Sequence, residues 1–103
     1  MSTHVLDTAL GRPAAGVAVR LLDGTGEVGA AVTDADGRIA TFGAARVEPG
    51  EYRLVFDIAS YARASGQATF FPRVTITFVV AEERHHHVPL LLSPFAFSTY
   101  RGS

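Results

Sequence analysis

The sequence predicts an all-β protein, an antiparallel β-sandwich of about eight strands with one short helix. Short stretches rich in β-branched and aromatic residues recur at roughly ten-residue spacing. Turn signals separate them, and Asp36-Gly37 and Pro49-Gly50 are the strongest, because glycine adopts positive φ without strain. One segment, residues 57–67, breaks the strand pattern and accounts for the helix.

In the first half of the chain, residues 2–7 alternate between apolar and polar side chains and predict the first strand. Residues 8–15 contain glycine and proline and are typical of a turn. Arg38 directly follows the Asp36-Gly37 turn and precedes a short predicted strand. The predicted strands of this half after the first are residues 17–22, 29–33 and 39–42.

In the second half, residues 51–56 alternate cleanly, and Ser65-Gly66 ends the predicted helix. Residues 74–80 form the most β-prone stretch of the chain. The last two strands follow a charged turn at 81–84: the first begins with the histidines at 85–87, and the second ends in Tyr-Arg-Gly-Ser. The aromatic residues expected in the core are Tyr52, Phe56, Phe70, Phe71 and Phe78.

Length and composition predict one domain, residues 1–103. Hydrophobic residues make up 48% and charged residues 18%, against a usual charged share of about a quarter. Such a chain has more apolar surface than a small domain hides alone, which favours an oligomer. The net charge of −1 lacks the positive excess that is typical of proteins that bind nucleic acid or an acidic membrane surface.

The chain has no cysteine, which excludes disulfides and thiolate chemistry. We find no secretory signal pattern and no apolar run approaching about 18 residues. Cytoplasm is therefore the default expectation, although a mature secreted form would have the same appearance.

Three consecutive histidines begin the penultimate strand. Alternation places His85 and His87 on one face and His86 on the other. The pair allows three interpretations: a metal clip completed by His4, a polar strand start at the rim, or acid–base use near neutral pH. No carboxylate or thiol accompanies the pair at ligand spacing, which weighs against a metal.

The same strand continues into Leu90-Leu91-Leu92, which is apolar on both faces. Both faces should therefore be covered, one by the core and the other by a second subunit. The histidines and the Tyr-Arg-Gly-Ser tail would then meet at a subunit interface. Taken alone, Arg38 and Arg101 are equally consistent with solvated surface residues.

Several segments match one protein family in order along essentially the whole chain. They are residues 2–7 (STHVLD), 33–38 (TDADGR), 70–72 (FFP), 87–94 (HVPLLLSP) and 98–103 (STYRGS). The chain resembles the 5-hydroxyisourate hydrolases, the transthyretin-related enzymes of urate breakdown. The terminal Tyr-Arg-Gly-Ser is the most specific mark of these enzymes, because transthyretin lacks it.

The resemblance implies a transthyretin-like sandwich that assembles as a homotetramer, a dimer of dimers, with active sites in the channel between the dimers. It implies that His4 and His87 are the catalytic histidines and Arg38 the catalytic arginine, with no metal and no cofactor. Tyr100 corresponds to a substrate contact, and Arg101 and Ser103 shape the pocket.

Two departures from the family pattern lie beside this site. Family members commonly carry tyrosine where this chain has His86, and many carry Gly-Tyr where it has Ala96-Phe97. Neither change removes a residue that corresponds to a catalytic one.

Three functions remain open at this point. The first is hydrolysis of 5-hydroxyisourate to 2-oxo-4-hydroxy-4-carboxy-5-ureidoimidazoline by two histidines and an arginine, which fits a cyclic amide-like bond. The second is a carrier of a small aromatic ligand in a tetramer channel, for which mainly apolar walls are expected. The third is a zinc hydrolase that uses His4, His85 and His87.

Overall fold

The computed structural model describes residues 1–43, 47–82 and 85–102. In this part of the chain it contains nine strands and one helix. The strands are β1 (Ser2–Asp7), β2 (Arg12–Pro13), β3 (Ala18–Asp23), β4 (Gly26–Val32), β5 (Arg38–Ile39), β6 (Gly50–Asp57), β7 (Arg73–Val80), β8 (His87–Ser93) and β9 (Ala96–Thr99), and helix α1 (Ile58–Ser65) follows β6.

The strands form two sheets. The first has the order β2-β1-β8-β9, with β5 also paired to β1, and the second has the order β4-β3-β6-β7. Buried residues of both sheets form one hydrophobic core, to which the first contributes Val5 and Leu90 and the second Leu54 and Phe56. The predicted class, a β-sandwich with one short helix, is confirmed.

One strand pair departs from the antiparallel expectation. β1 and β8 run parallel, with Ser2 opposite His87 and Asp7 opposite Leu92, while the other strand pairs are antiparallel. A parallel pair needs a long crossover, and here nearly the whole chain separates the two strands. This pairing brings the beginning of the chain beside its histidine triplet.

Several predicted boundaries are wrong. The strand expected at 39–42 is only the two residues of β5, and the triplet does not begin β8, which starts at its last member, His87. The two-residue β2 lies within the segment expected to be a turn. Phe70, expected in the core, is 70% exposed; it lies in the link between α1 and β7, outside both elements.

The helix is tied to β1 by a buried polar cluster. Asp57 caps its N-terminus by accepting from the Ser60 backbone N–H at 3.2 Å. Asp7, 2% exposed, accepts hydrogen bonds from Tyr61 Oη at 2.6 Å and Gln67 Nε2 at 2.8 Å. The end of β1 is thereby held against α1. Within the described residues, no helix has the length and apolar character needed to cross a membrane.

Candidate active site

Strand register brings the candidate residues onto one face of the first sheet. His4 lies opposite Arg38 in the β1–β5 pair, and Ser2 lies opposite His87 in the β1–β8 pair. Directly opposed residues place their side chains on the same face. The alternate residue Thr3 is buried toward the core, so His4, Arg38, His87 and Ser2 share the outer face of the first sheet.

The turn before β5 positions Arg38. Asp34 Oδ1 accepts from the backbone N–H groups of Asp36 and Arg38, at 2.9 and 3.0 Å. Gly37 occupies φ +74°, and a Cβ there would collide with the carbonyl oxygen of Val5. Only glycine therefore fits this turn without strain, which explains the Asp-Gly pair seen in the sequence.

The hydrogen bond of His4 defines its neutral tautomer. His4 Nε2 lies 2.9 Å from the backbone carbonyl oxygen of Asp36. A carbonyl oxygen can only accept, so Nε2 carries the proton. In neutral His4, Nδ1 is then the nitrogen with a free lone pair, and it can take a proton.

Ser2 joins two of the three consecutive histidines. Its Oγ lies 2.8 Å from His85 Nε2 and 2.8 Å from His87 Nδ1. His86 is buried on the opposite face, as the alternation predicted. The bond to Ser2 leaves His87 Nε2 as the ring nitrogen without a partner among the described residues.

His87 lies in a positively charged and partly buried setting. Burial, the guanidinium of Arg38 and the imidazole of His4 lower the pKa of His87 below 6.5. Burial also lowers the pKa of His85, although that ring is more exposed. Both imidazoles are therefore neutral, and able to accept a proton, at neutral pH.

The C-terminal tail packs directly against the His87 ring. The backbone N–H of Gly102 donates to the carbonyl oxygen of His87 at 2.8 Å. A Cβ at position 102 would lie 2.5 Å from His87 Cδ2. Glycine is required here because the backbone approaches the ring too closely for any side chain.

These groups surround an open cleft of about 480 Å³, a size suited to a small heterocycle. We call it the histidine cleft. Two of the three predicted catalytic residues line it, and the third, His4, lies beside Arg38. The lining residues are Ser2, Thr3, Arg38, Ile39, Ala40, His85 and His87.

The predicted substrate-contacting tail is placed less directly. Tyr100 is 57% exposed and Arg101 is also exposed, and neither lines the histidine cleft of the single protomer. The bond from Gly102 to His87 fixes the backbone of the tail one residue beyond Arg101. Ser103 lies outside the described residues.

No group of three His, Cys, Asp or Glu residues could hold a metal ion in the part of the chain that the structure describes. The trio of His4, His85 and His87 is therefore not arranged as a ligand set. His85 Nε2 and His87 Nδ1 both point at Ser2 Oγ instead.

Sequence reasoning missed two residues of this site, Ser2 and Gly102. Alternation alone places Ser2 on the face of His4, which was a usable signal. Its contact with the histidines depends on the parallel β1–β8 register, which local sequence does not encode. The approach of Gly102 to His87 continues the antiparallel register of the β8–β9 pair beyond the end of β9.

The fold and the site define a β-sandwich of the transthyretin type that carries acid–base groups on the outer face of one sheet. Residues 1–102 match the family model described as the HIUase/Transthyretin family. The chain belongs to this family.

Three similar proteins illustrate the range of the family. A 5-hydroxyisourate hydrolase of Mesorhizobium japonicum is 46% identical, over 100% of this chain and 91% of that protein. The structure of Klebsiella pneumoniae 5-hydroxyisourate hydrolase has a TM-score of 0.91 at 42% identity, covering 99% of this chain and 97% of that one. Sea bream transthyretin in complex with thyroxine has a TM-score of 0.90 at 30% identity, covering 98% of this chain and 92% of that one.

Proposed function

We propose that this protein is a 5-hydroxyisourate hydrolase that opens the ring of its substrate with two histidines and an arginine and without a metal. The observation that carries the proposal is the convergence of His4, Arg38 and His87 on one sheet face, where Arg38 and His87 line the histidine cleft. Full-length similarity to proteins named 5-hydroxyisourate hydrolase supports the same activity.

The two histidines supply the proton transfers. Hydrolysis needs a base that takes a proton from water as its oxygen attacks the carbonyl carbon, and an acid that protonates the leaving nitrogen when the C–N bond breaks. Among the described residues, His4 Nδ1 and His87 Nε2 have no partner and are available for these steps; one imidazole can make both transfers while the other orients the substrate or water. Acid–base catalysis of this kind contributes roughly 10²–10⁴-fold.

Arg38 supplies the positive charge. In the described part of the chain the guanidinium has no carboxylate partner, and the ion pair found there joins Arg20 and Glu27 at 3.8 Å. An unpaired guanidinium keeps its charge and its forked donors for a carbonyl oxygen that becomes negative, or for an anionic ring oxygen. Tyr100, Arg101 and Ser103 remain our predicted substrate-binding residues.

We infer that the active form is a homotetramer, a dimer of dimers, in which partner subunits complete the open cleft. Large apolar side chains on the protomer surface support this, including Phe95 at 73% exposure and Val79 at 65%. A single domain over residues 1–103 stays a prediction. The cytoplasmic location also stays a prediction, which cell fractionation can check, and binding assays can check the predicted absence of nucleic-acid or membrane partners.

The activity is tested by mixing the purified protein with freshly generated 5-hydroxyisourate and following the ultraviolet absorbance against spontaneous decay. We expect loss of substrate well above the spontaneous rate. A rate equal to spontaneous decay would overturn the proposal.

The residue roles are tested by His4→Ala, Arg38→Ala and His87→Ala. We expect each substitution to lower kcat by about 100-fold or more while the tetramer survives. Arg20→Ala is a matched control, because Arg20 lies on the second sheet. Near-native rates in all three site variants would show that the roles are wrongly assigned.

The alternative is a carrier of a small aromatic ligand, which the shared fold with sea bream transthyretin favours. Arg38, His85 and His87 in the lining of the histidine cleft argue against it. Tight binding of an iodinated aromatic compound together with no hydrolysis would support the carrier.

A further inference from the structure

Ser2 is placed to transmit a proton between two histidines. A serine hydroxyl has one proton to donate and two lone pairs, and Ser2 Oγ is at hydrogen-bond distance from both His85 Nε2 and His87 Nδ1. If both rings are neutral, the hydroxyl donates to one ring and accepts from the other. The two rings must then carry their protons on the same type of nitrogen, both on Nδ1 or both on Nε2.

We propose that Ser2 links His85 and His87 into one acid–base unit, in which Ser2 and His85 are positioning residues that act through His87. The inference rests on the proposed hydrolysis and deepens it. As His87 Nε2 takes a proton from water, its Nδ1 proton passes to Ser2 Oγ, and the Ser2 hydroxyl proton passes to His85 Nε2. His85 becomes the imidazolium, and His87 is left neutral with its proton on Nε2.

The transfer returns when the C–N bond of the substrate breaks. His87 gives its Nε2 proton to the leaving nitrogen, Ser2 returns a proton to His87 Nδ1, and His85 Nε2 returns one to Ser2 Oγ. No atom is gained or lost over the cycle. One imidazole thus serves first as base and then as acid, as the two halves of the hydrolysis require.

Solvent exposure favours placing the positive charge on His85 rather than on His87. An imidazolium at His87 would face the Arg38 guanidinium and His4 within the cleft. His85 is more exposed, so water stabilises its charge better. Burial and the charges of the other titratable groups that face it, the Met1 amino group and His86, lower the pKa of His85. The Met1 nitrogen lies 3.4 Å from His85 Nδ1, and burial lowers the pKa of this amine; in its neutral form the amine accepts a hydrogen bond from the Nδ1 proton that the relay requires.

The link is tested without substrate by NMR of the protein labelled with ¹⁵N-histidine, which contains four such residues. Histidine-to-glutamine variants assign the signals. Above the pKa of both rings, we expect His85 and His87 both to carry their proton on Nδ1, which leaves His87 Nε2 free to accept, and we expect Ser2→Ala to make the two rings titrate independently. A proton on Nε2 of either ring in the unaltered protein, or unchanged signals in Ser2→Ala, would overturn the link.

Kinetics tests whether the link serves the reaction. We expect Ser2→Ala to lower kcat by about 10- to 100-fold with little change in KM, and Ser2→Thr, which keeps the hydroxyl, to restore most of it. The double variant Ser2→Ala/His85→Ala should be no slower than either single variant, because both break the same path. Additive losses, or a native rate in Ser2→Ala, would contradict the relay.

Ser93→Ala is the control for removing a hydroxyl from this sheet, because Ser93 Oγ donates to the carbonyl oxygen of Ala96 at 3.1 Å, at the far end of β8. Ser93→Ala should keep the native rate. A reduced rate in this variant would show that removing any serine hydroxyl from this sheet disturbs the site, which would contradict a specific role for Ser2. If the unaltered protein does not hydrolyse 5-hydroxyisourate, the proposed function fails. The tautomer measurement still decides whether Ser2 joins the two rings.

Discussion

Arg38 lies on β5 and His87 on β8, the two strands that flank β1 on opposite sides. Burial, Arg38 and His4 lower the pKa of His87 below 6.5. A base with a lowered pKa stays neutral to more acidic pH, so the acid limb of a kcat profile should fall below pH 6.5. The same cation that we propose to stabilise the oxyanion thus also keeps His87 ready to accept a proton.

Replacing Arg38 with glutamine should raise the pKa of His87, because it removes a nearby positive charge and leaves burial in place. The measurement is an NMR titration of the His87 ring, for which substrate is not needed. Arg20→Gln, on the second sheet and paired with Glu27, should leave the His87 titration unchanged. An unaltered pKa in Arg38→Gln would mean that the charge of Arg38 does not reach His87.

The buried pair of Asp7 and Tyr61 sets a second pH dependence, this time of stability. Burial alone would raise the pKa of Asp7, but hydrogen bonds from Tyr61, from the Leu10 backbone N–H and from Gln67 outweigh it and lower the pKa. Burial and the bond to Asp7 raise the pKa of Tyr61 to about 12. The Asp7 contribution is complete above the usual carboxyl pKa and is lost as pH falls through the lowered value.

Tyr61→Phe should therefore lower the free energy of unfolding at pH 7 by about 1–3 kcal/mol, because buried Asp7 loses a donor. The difference from the unaltered protein should shrink at acidic pH, where Asp7 is protonated. Denaturant unfolding at several pH values measures it. Tyr52→Phe, which removes another buried hydroxyl whose partner is the backbone carbonyl oxygen of Glu48 at 2.7 Å and not a carboxylate, is the control that should show no such pH dependence.

At the scale of elements, the tail after β9 supports β8 at the point where His87 begins the strand. Gly102→Ala should move the His87 ring, since the added Cβ would lie 2.5 Å from Cδ2. We expect kcat to fall by about tenfold or more with the fold intact, because small displacements of catalytic groups are costly. Steady-state kinetics and circular dichroism measure the two effects.

The matched control for Gly102→Ala is Gly24→Ala. An added Cβ at Gly24 meets nothing within 4 Å, so its rate and stability should stay close to native. A native rate in Gly102→Ala would show that the tail does not hold the His87 ring in place.

The elements differ in how well local sequence predicted them. β1, β6, β7 and α1 have clear alternation or a capped helical pattern, and the predicted bounds agree with the structure within a residue or two. β2 has only two residues and pairs with the end of β1, so it carries no period to detect. Phenylalanine is common in buried strands, but local sequence does not show which side chains cover Phe70 in the folded protein.

At the scale of the whole molecule, the exposed apolar side chains predict assembly. We expect light scattering to give four times the protomer mass of 10.9 kDa. Phe95→Asp should shift the population to smaller species, because it places a charge on a surface that we infer to be buried between subunits. Glu51→Asp, an exposed conservative change on β6, should leave the mass unaltered, and a monomeric native protein would contradict the assembly.

The amino-acid sequence was enough to predict the fold class, the approximate positions of most strands and of the helix, and the candidates His4, Arg38 and His87. Alternation, turn chemistry and family motifs are local, and each can be recognised without knowing which strands are neighbours. Only the tertiary structure decided that β1 and β8 run parallel with Ser2 opposite His87. Which strands pair depends on how whole sheet faces are buried against each other in the core. A residue such as Ser2 therefore meets its hydrogen-bond partners only when β1 and β8 pair in the correct register.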